Sequence, residues 1–185
     1  MAAPMTRPRL LAPLLALLAL AYLGAMVVSG AMPVQRQFAR FEAKGVMAAA
    51  PEQVRRIELG RAAGRPLRLR RDGAGWAMAE GRPPEAVAAR IETALKMMRN
   101  AGPVRVMEPE ELAGLDAAPF GLDPPALRLA LYDEAGAALV TASFGARNPE
   151  EFLQYMRLKG DARLYLMSRF VGAEWEAVLT AMADP

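Results

Sequence analysis

Residues 66–76 read PLRLRRDGAGW, and this stretch indicates the fold of the chain around it. Two leucines alternate with arginines before the turn, a pattern that predicts a strand with one apolar and one charged face. The DGAG segment favours a tight turn, after which Trp76 begins the partner strand. We therefore expect an antiparallel β-hairpin.

Further elements are expected on both sides of this hairpin. A strand is predicted at 54–59, and a helix begins after Pro83-Pro84, where proline is tolerated. The helix has one apolar stripe, formed by Val87, Ile91, Leu95 and Met98. A short strand at 104–107 and an acidic helix from 108 to 115 complete this half.

The second half repeats the pattern of hairpins followed by a helix. Strands are predicted at 127–131 and 140–144, and a second hairpin joins 152–158 to 164–167. Four side chains of that hairpin alternate and are expected to share one face: Tyr155, Arg157, Arg163 and Tyr165. The closing helix has an apolar face, formed by Val171, Trp175, Val178 and Met182. The resemblance between the halves indicates either a duplication or an ordinary α+β chain.

An apolar run precedes this domain. Residues 10–28 read LLAPLLALLALAYLGAMVV and contain no charge. At ~1.5 Å of rise per residue the run approaches the ~30 Å hydrocarbon thickness of a bilayer, so we expect a transmembrane helix. Arg7 and Arg9 should keep the N-terminus cytoplasmic. A cleavable signal peptide ending at the small residues 29–31 is the alternative, and it exports the same domain.

The predicted fold class is therefore α+β: an N-terminal transmembrane helix, then an exported domain of antiparallel β-hairpins packed with two amphipathic helices. The predicted segments are a cytoplasmic tail (1–9), a signal-anchor (10–29), a stalk (30–52) and an extracytoplasmic domain (53–183) whose halves join near 116–125. The stalk is either a helix resting on the membrane or a loose linker. We expect a single-pass protein of the inner membrane, with its C-terminal domain in the periplasm or outside.

Composition limits the chemistry. The chain has no cysteine and no histidine, which removes disulfides, thiol nucleophiles and the commonest general base. Three serines lack a triad context, and the DGAG segment lacks the lysine and spacing of a phosphate loop. The sequence therefore predicts a protein that is not an enzyme, with no cofactor and no metal site. Any catalysis would be limited to carboxylates.

Charge is divided between the two halves. Residues 31–107 contain fifteen basic and seven acidic residues, a net charge of +8, whereas residues 108–185 contain six and thirteen, a net charge of −7. The densest cationic cluster after the apolar run comprises Arg61, Arg65, Arg68, Arg70 and Arg71. We expect it to contact anionic lipid, the alternative being a solvated strand face. Glu150 and Glu151 are the predicted partner contact within the acidic half.

Several short motifs occur together in a characteristic order. They are RRDGAGW at 70–76, FGLDPP at 120–125, FG at 144–145 and QYMRLKGD at 154–161, followed by LYL at 164–166. From 54 to 182 the chain thus resembles the domain of unknown function found in gliding-motility-type auxiliary proteins of ABC transporters and in small membrane-anchored relatives. The resemblance implies an exported α+β domain working beside a transporter or envelope complex, and it implies no catalytic residues.

These observations favour a membrane-anchored, non-catalytic accessory or scaffold module of an envelope or ABC-transporter-type complex. Its expected partners are the lipid bilayer and a membrane protein complex, and no nucleic acid. The alternative is a module that binds a small ligand or lipid in an apolar cleft between sheet and helices.

Overall fold

The structure, a computed structural model, describes residues 11–28, 44–73 and 75–183. The chain divides into two compact units, Met1–Glu42 and Ala43–Pro185. The predicted cytoplasmic tail and most of the predicted stalk lie outside the described residues.

The first unit contains one helix, α1 (Leu11–Val28), which is 18 residues long and uncharged. Its described side chains, at positions 13–26, are exposed. Among the described residues, no helix combines the length and the apolarity needed to cross a membrane.

The second unit is an α+β domain built on one antiparallel sheet, which confirms the α+β part of the predicted fold class. The strands are β1 (Arg56–Gly60), β2 (Leu67–Asp72), β3 (Gly75–Ala77), β4 (Arg105–Met107), β5 (Leu127–Tyr132), β6 (Ala138–Arg147), β7 (Leu153–Leu158) and β8 (Leu164–Ser168). The helices are α2 (Glu85–Asn100), α3 (Pro109–Leu112) and α4 (Arg169–Ala183). The eight strands lie in the order β3-β2-β1-β5-β6-β7-β8-β4.

The two predicted halves share this sheet. β1 of the first half pairs with β5 of the second, from Arg56 opposite Tyr132 to Gly60 opposite Arg128. β4 pairs with no strand of the first half; it pairs with β8 and forms the edge of the sheet opposite β3. Each predicted half contains a Leu-Arg-Leu triplet, at 67–69 and at 127–129. The triplets lie on β2 and β5, which do not occupy equivalent positions in the strand order.

The core lies between α2, α4 and one face of the sheet, here called the inner face. The predicted stripe of α2 is confirmed, because all four of its residues are buried. Val171, Trp175 and Val178 of α4 are also buried. They join inner-face side chains such as Leu129 and Phe144 in one continuous cluster, as two amphipathic helices on a sheet require.

The compact unit begins before the predicted domain boundary at residue 53. The Gly45 and Met47 amides donate to the Arg99 and Met98 carbonyls at 2.8 and 3.0 Å. Met47 is completely buried. A Cβ on Gly45 would lie 2.2 Å from the Met98 carbonyl oxygen, so glycine permits this close approach to the end of α2. The last part of the predicted stalk is therefore packed against the domain.

The segment joining the halves packs against a bulge in β6. A Cβ on Gly145 would lie 2.1 Å from the Phe120 carbonyl oxygen, so the two backbones are in direct contact. The register of β6 against β7 shifts between Phe144 and Arg147, as expected for a β-bulge. Gln154 Nε2 donates to the Gly145 carbonyl at 3.0 Å. Three of the motifs behind the family resemblance thus meet at one place.

This contact generates a prediction about stability. Gly145→Ala should destabilise the domain by about 1–3 kcal/mol, because the added methyl group overpacks a site closed by backbone. The measurement is chemical unfolding followed by tryptophan fluorescence.

Gly75→Ala is the matched control, since a Cβ there would meet only the tip of Arg82, at 3.4 Å, and the Asp72 carbonyl oxygen, at 4.0 Å. Equal stability of the two variants would contradict the close packing at the β6 bulge.

Candidate functional site

The described residues cover the other face of the sheet, here called the outer face, at one end only. Phe120 lies edge-on to Tyr155 of β7 at a centroid distance of 5.0 Å. Nearby, Pro109 and Leu112 of α3 line a concavity with Arg157. At the other end, strands β1, β2 and β5 present exposed arginines from their outward positions. This exposed end is the strongest candidate for a functional site.

We call this surface the arginine face. It comprises Arg56, Arg61, Arg68, Arg70 and Arg128, together with Glu58. Four of the arginines occupy outward strand positions, opposite in phase to the buried leucines and isoleucine beside them. Arg61 follows the end of β1. The alternation of apolar and basic residues noted in the sequence is therefore what produces the surface.

Register places like charges side by side on this face. Arg56 of β1 is directly opposite Arg70 of β2. The Arg56 guanidinium carbon lies 4.1 Å above the centre of the Tyr132 ring, which orients it by a cation–π contact. Arg68 Nε lies 3.4 Å from Glu58 Oε1. The Tyr132 hydroxyl donates to Glu58 Oε2 at the same distance.

The positive charge of the arginine face is only partly balanced. Among the described residues that line its concavities, Glu58 is the one carboxylate, and Arg68 already contacts it. Asp72, the next outward position of β2 after Arg70, is paired with Arg82. Within the described part of the chain, Arg61, Arg70 and Arg128 form no salt bridge. Such a surface attracts anions.

Two shallow concavities open on the arginine face. The first, of about 240 Å³, is lined by Arg56, Arg68 and Arg70 over Leu69 and small side chains of the β3 end. The second, of about 260 Å³, lies between Arg61 and Arg128. Small residues form its floor: Gly60, Ala62, Gly64 and Ala130. Arginines around a small-residue floor can receive phosphate or carboxylate groups by bidentate hydrogen bonds.

The predicted cationic cluster is only partly assembled here. Arg61, Arg68 and Arg70 belong to the arginine face, and Arg65 is exposed in the adjoining loop. Arg56 and Arg128 were missed as site residues. Arg56 is placed beside Arg70 by the pairing of β1 with β2, and Arg128 joins the face through the pairing of β1 with β5; no local sequence signal reports either pairing.

Arg71 lies on the inner side of the sheet instead, with its side chain only 10% exposed. Its Nη1 lies 2.9 Å from Glu92 Oε1 of α2, and Nε donates to the Val54 carbonyl at 3.0 Å. The guanidinium also stacks 4.4 Å above the Trp76 ring. Arg71 therefore holds the domain together and is not available to a membrane surface.

Adjacent arginines thus have opposite roles, and a pair of substitutions tests this. Arg71→Ala should cost about 2–4 kcal/mol, because it leaves the Glu92 carboxylate without its cation and the Val54 and Pro51 carbonyls without their donor. Arg70→Ala should change stability by less than about 0.5 kcal/mol, as expected for an exposed side chain. Urea unfolding measures both. Equal losses would contradict the assignment of the two faces.

The predicted partner contact lies in the turn between β6 and β7. Glu151 has a positive φ of 62°, and its Oε2 lies 3.1 Å from Arg147 Nη1. Asn148 Nδ2 donates to Glu150 Oε2 at 2.5 Å. The Asn148 side-chain oxygen accepts from the Phe152 and Leu153 amides. Both carboxylates thus have local partners but remain at the surface.

The prediction that four hairpin side chains share a face is wrong. Tyr165 pairs opposite Met156, so it shares the face of Met156 and not that of Tyr155. Its hydroxyl donates to Asp161 Oδ2 at 2.5 Å. Burial, and then this hydrogen bond, raise the pKa of Tyr165 to about 12. The side chain of Arg163 contacts the same carboxylate, and hydrogen bonds from Arg163 and Tyr165 hold the pKa of Asp161 well below its usual range.

Comparison with known proteins does not identify the chain: no protein family, curated protein or solved structure was found to match it. Among the described residues, no three acidic, histidine or cysteine side chains are grouped so that they could hold a metal ion. The arginine face is the arrangement on which a functional argument can be built.

Proposed function

We propose that this protein is a membrane-anchored, non-catalytic accessory module whose α+β domain works outside the cytoplasm beside a membrane protein complex. The observation that carries the proposal is the uncharged apolar run at residues 10–28, of which the structure describes the 18-residue helix α1. Leucine and alanine occur on all sides of α1, whereas an interfacial helix needs a polar face. The run has 19 residues, and as a helix with ~1.5 Å of rise per residue it would span about 28 Å, close to the ~30 Å hydrocarbon thickness of a bilayer.

The packing of the domain supports a module that acts through its surface. Ile91, Leu95 and Trp175 fill the space between sheet and helices and are completely buried. The alternative, a ligand cleft between sheet and helices, draws less support from this packing. The three concavities described above are shallow and lie on the outer face or beside α3. Resemblance to transporter auxiliary domains favours the same class.

The anchor is tested by membrane fractionation of the full chain expressed in a bacterial host. The protein should remain in the membrane pellet after washing with alkaline carbonate. Leu17→Arg with Leu18→Arg should release it, because each arginine at a helix centre costs about 2.5–3.5 kcal/mol on insertion.

Leu115→Arg is the matched control: this leucine is also exposed, at 52%, but it lies in the domain. It should leave the protein in the pellet. Carbonate release of the unaltered chain, either intact or cut near Met32, would refute the anchor.

A contact surface for a partner complex is proposed at the tip formed by the β6–β7 turn and the start of α4. Phe152 and Phe170 are 70% and 59% exposed. They are brought near each other because the Arg169 amide donates to the Phe152 carbonyl at 3.1 Å. Glu150 and Glu151 precede Phe152. Exposed aromatic residues beside charges are typical of binding hot spots.

Two double variants test this tip by crosslinking and recovery of the same partner from native membranes. Phe152→Ser with Phe170→Ser should lower recovery at least about tenfold, as expected for hot-spot residues. Glu150→Lys with Glu151→Lys should lower it chiefly at low salt, because screening weakens exposed charges.

Val104→Ser with Leu115→Ser serves as the control, since both side chains are exposed and apolar but lie elsewhere. If the control and the tip variants recover the partner equally well, the tip is not the contact surface.

A further inference from the structure

The arginine face carries an electrostatic cost within the domain. Directly opposed like charges, here Arg56 and Arg70, destabilise a sheet. Arg128 adds a further positive charge on β5, the strand next to β1. Arg68, which shares the outward side of β2 with Arg70, contacts Glu58. A group outside the described residues that carried several negative charges would remove this cost.

The spacing of the cations indicates the kind of ligand. They occupy β2, β1 and β5, three adjacent strands about 4.8 Å apart, so the charges spread over about 10 Å. One small anion cannot reach all of them. Their exposure on a sheet face, over small side chains, suits a surface that presents many anionic groups.

We propose that the arginine face docks the domain on the anionic phosphate headgroups of the bilayer in which α1 is anchored. This inference rests on the proposed function. Arginine pairs with phosphate by two parallel hydrogen bonds. Residues 29–43 connect α1 to the described part of the domain, and fifteen residues reach at most about 54 Å. This connection keeps the domain close to the bilayer whenever α1 is inserted, and tethering raises the effective concentration of headgroups around the domain.

The docking residues differ from the cationic cluster predicted from sequence. Arg56 and Arg128 are added, because register places them on the face. Arg71 is removed, because its guanidinium is engaged by Glu92 and Trp76 on the inner side.

The test uses the full chain in vesicles of phosphatidylcholine, with or without phosphatidylglycerol. Because the chain has no cysteine, one fluorophore can be attached at Ala79→Cys, which lies in the first concavity. A second labelled chain carries Ala89→Cys, exposed on α2 across the sheet. Lipids with a headgroup quencher should quench the label at position 79 in anionic vesicles and leave the label at position 89 little changed.

Charge variants then identify the docking residues. Arg56→Gln with Arg70→Gln should lower the ratio of docked to undocked domain about 25-fold. Lys44→Gln with Lys96→Gln removes the same net charge from exposed positions that line neither concavity and should change that ratio by less than about twofold. Added salt should weaken docking of the unaltered chain.

The outcomes separate this inference from the anchor. Retention in neutral vesicles through a carbonate wash reports α1 alone. If the chain is retained but quenching at position 79 does not depend on anionic lipid, docking is refuted and the anchor stands. If retention fails, but flotation with anionic vesicles still requires Arg56 and Arg70, the docking surface stands without the anchor. If polyglutamate binds the domain through Arg56 and Arg70 while anionic vesicles quench the label at position 79 no more than neutral ones, the face recognises an acidic protein, and the lipid assignment is overturned.

Discussion

The guanidinium of Arg71 joins parts of the domain that are distant in sequence. Besides its contacts with Glu92 and Trp76, Nη2 donates to the Pro51 carbonyl at 3.2 Å. Trp76 Nε1 in turn donates to Glu92 Oε1 at 2.8 Å. One side chain thereby fixes the segment that enters the domain, the β2–β3 hairpin and α2 relative to one another. The outer face has its shape because this inner contact holds β2 with Arg70 facing outward.

Local periodicity predicted the elements well, since both the alternation of strands and the stripes of α2 and α4 are properties of neighbouring residues. Local periodicity could not predict which strands pair when they are distant in sequence. Nothing near β1 indicates that Leu131 is opposite Ile57, and nothing in β4 indicates β8 as its neighbour. The arginine face was predicted only in part, because its membership also depends on long-range strand pairing. Arg70 and Arg71 look alike in sequence, but one step along a strand reverses the face.

The motifs behind the family resemblance describe geometry more than chemistry. Phe120-Gly121, Gly145 and Gln154 meet where the joining segment crosses β6. Each is required there by close backbone approach or by a buried amide, and Gln154 is only 3% exposed. These positions constrain the backbone and form no exposed site, so this set of residues does not indicate a ligand. The surfaces that carry the proposals, the arginine face and the aromatic tip, lie mostly outside these motifs.

The crossing of β4 to the far edge has a consequence for folding kinetics. β4 ends at Met107, but its partner β8 begins only at Leu164, and α4 follows to close the core. Neither half can therefore complete its own layer while the rest of the chain is missing. Pairing across such separations slows the search for the native state and favours one late, cooperative step. A ribosome or a translocation channel would thus release a largely open chain, which gains its protection against proteases only after its last helix has emerged.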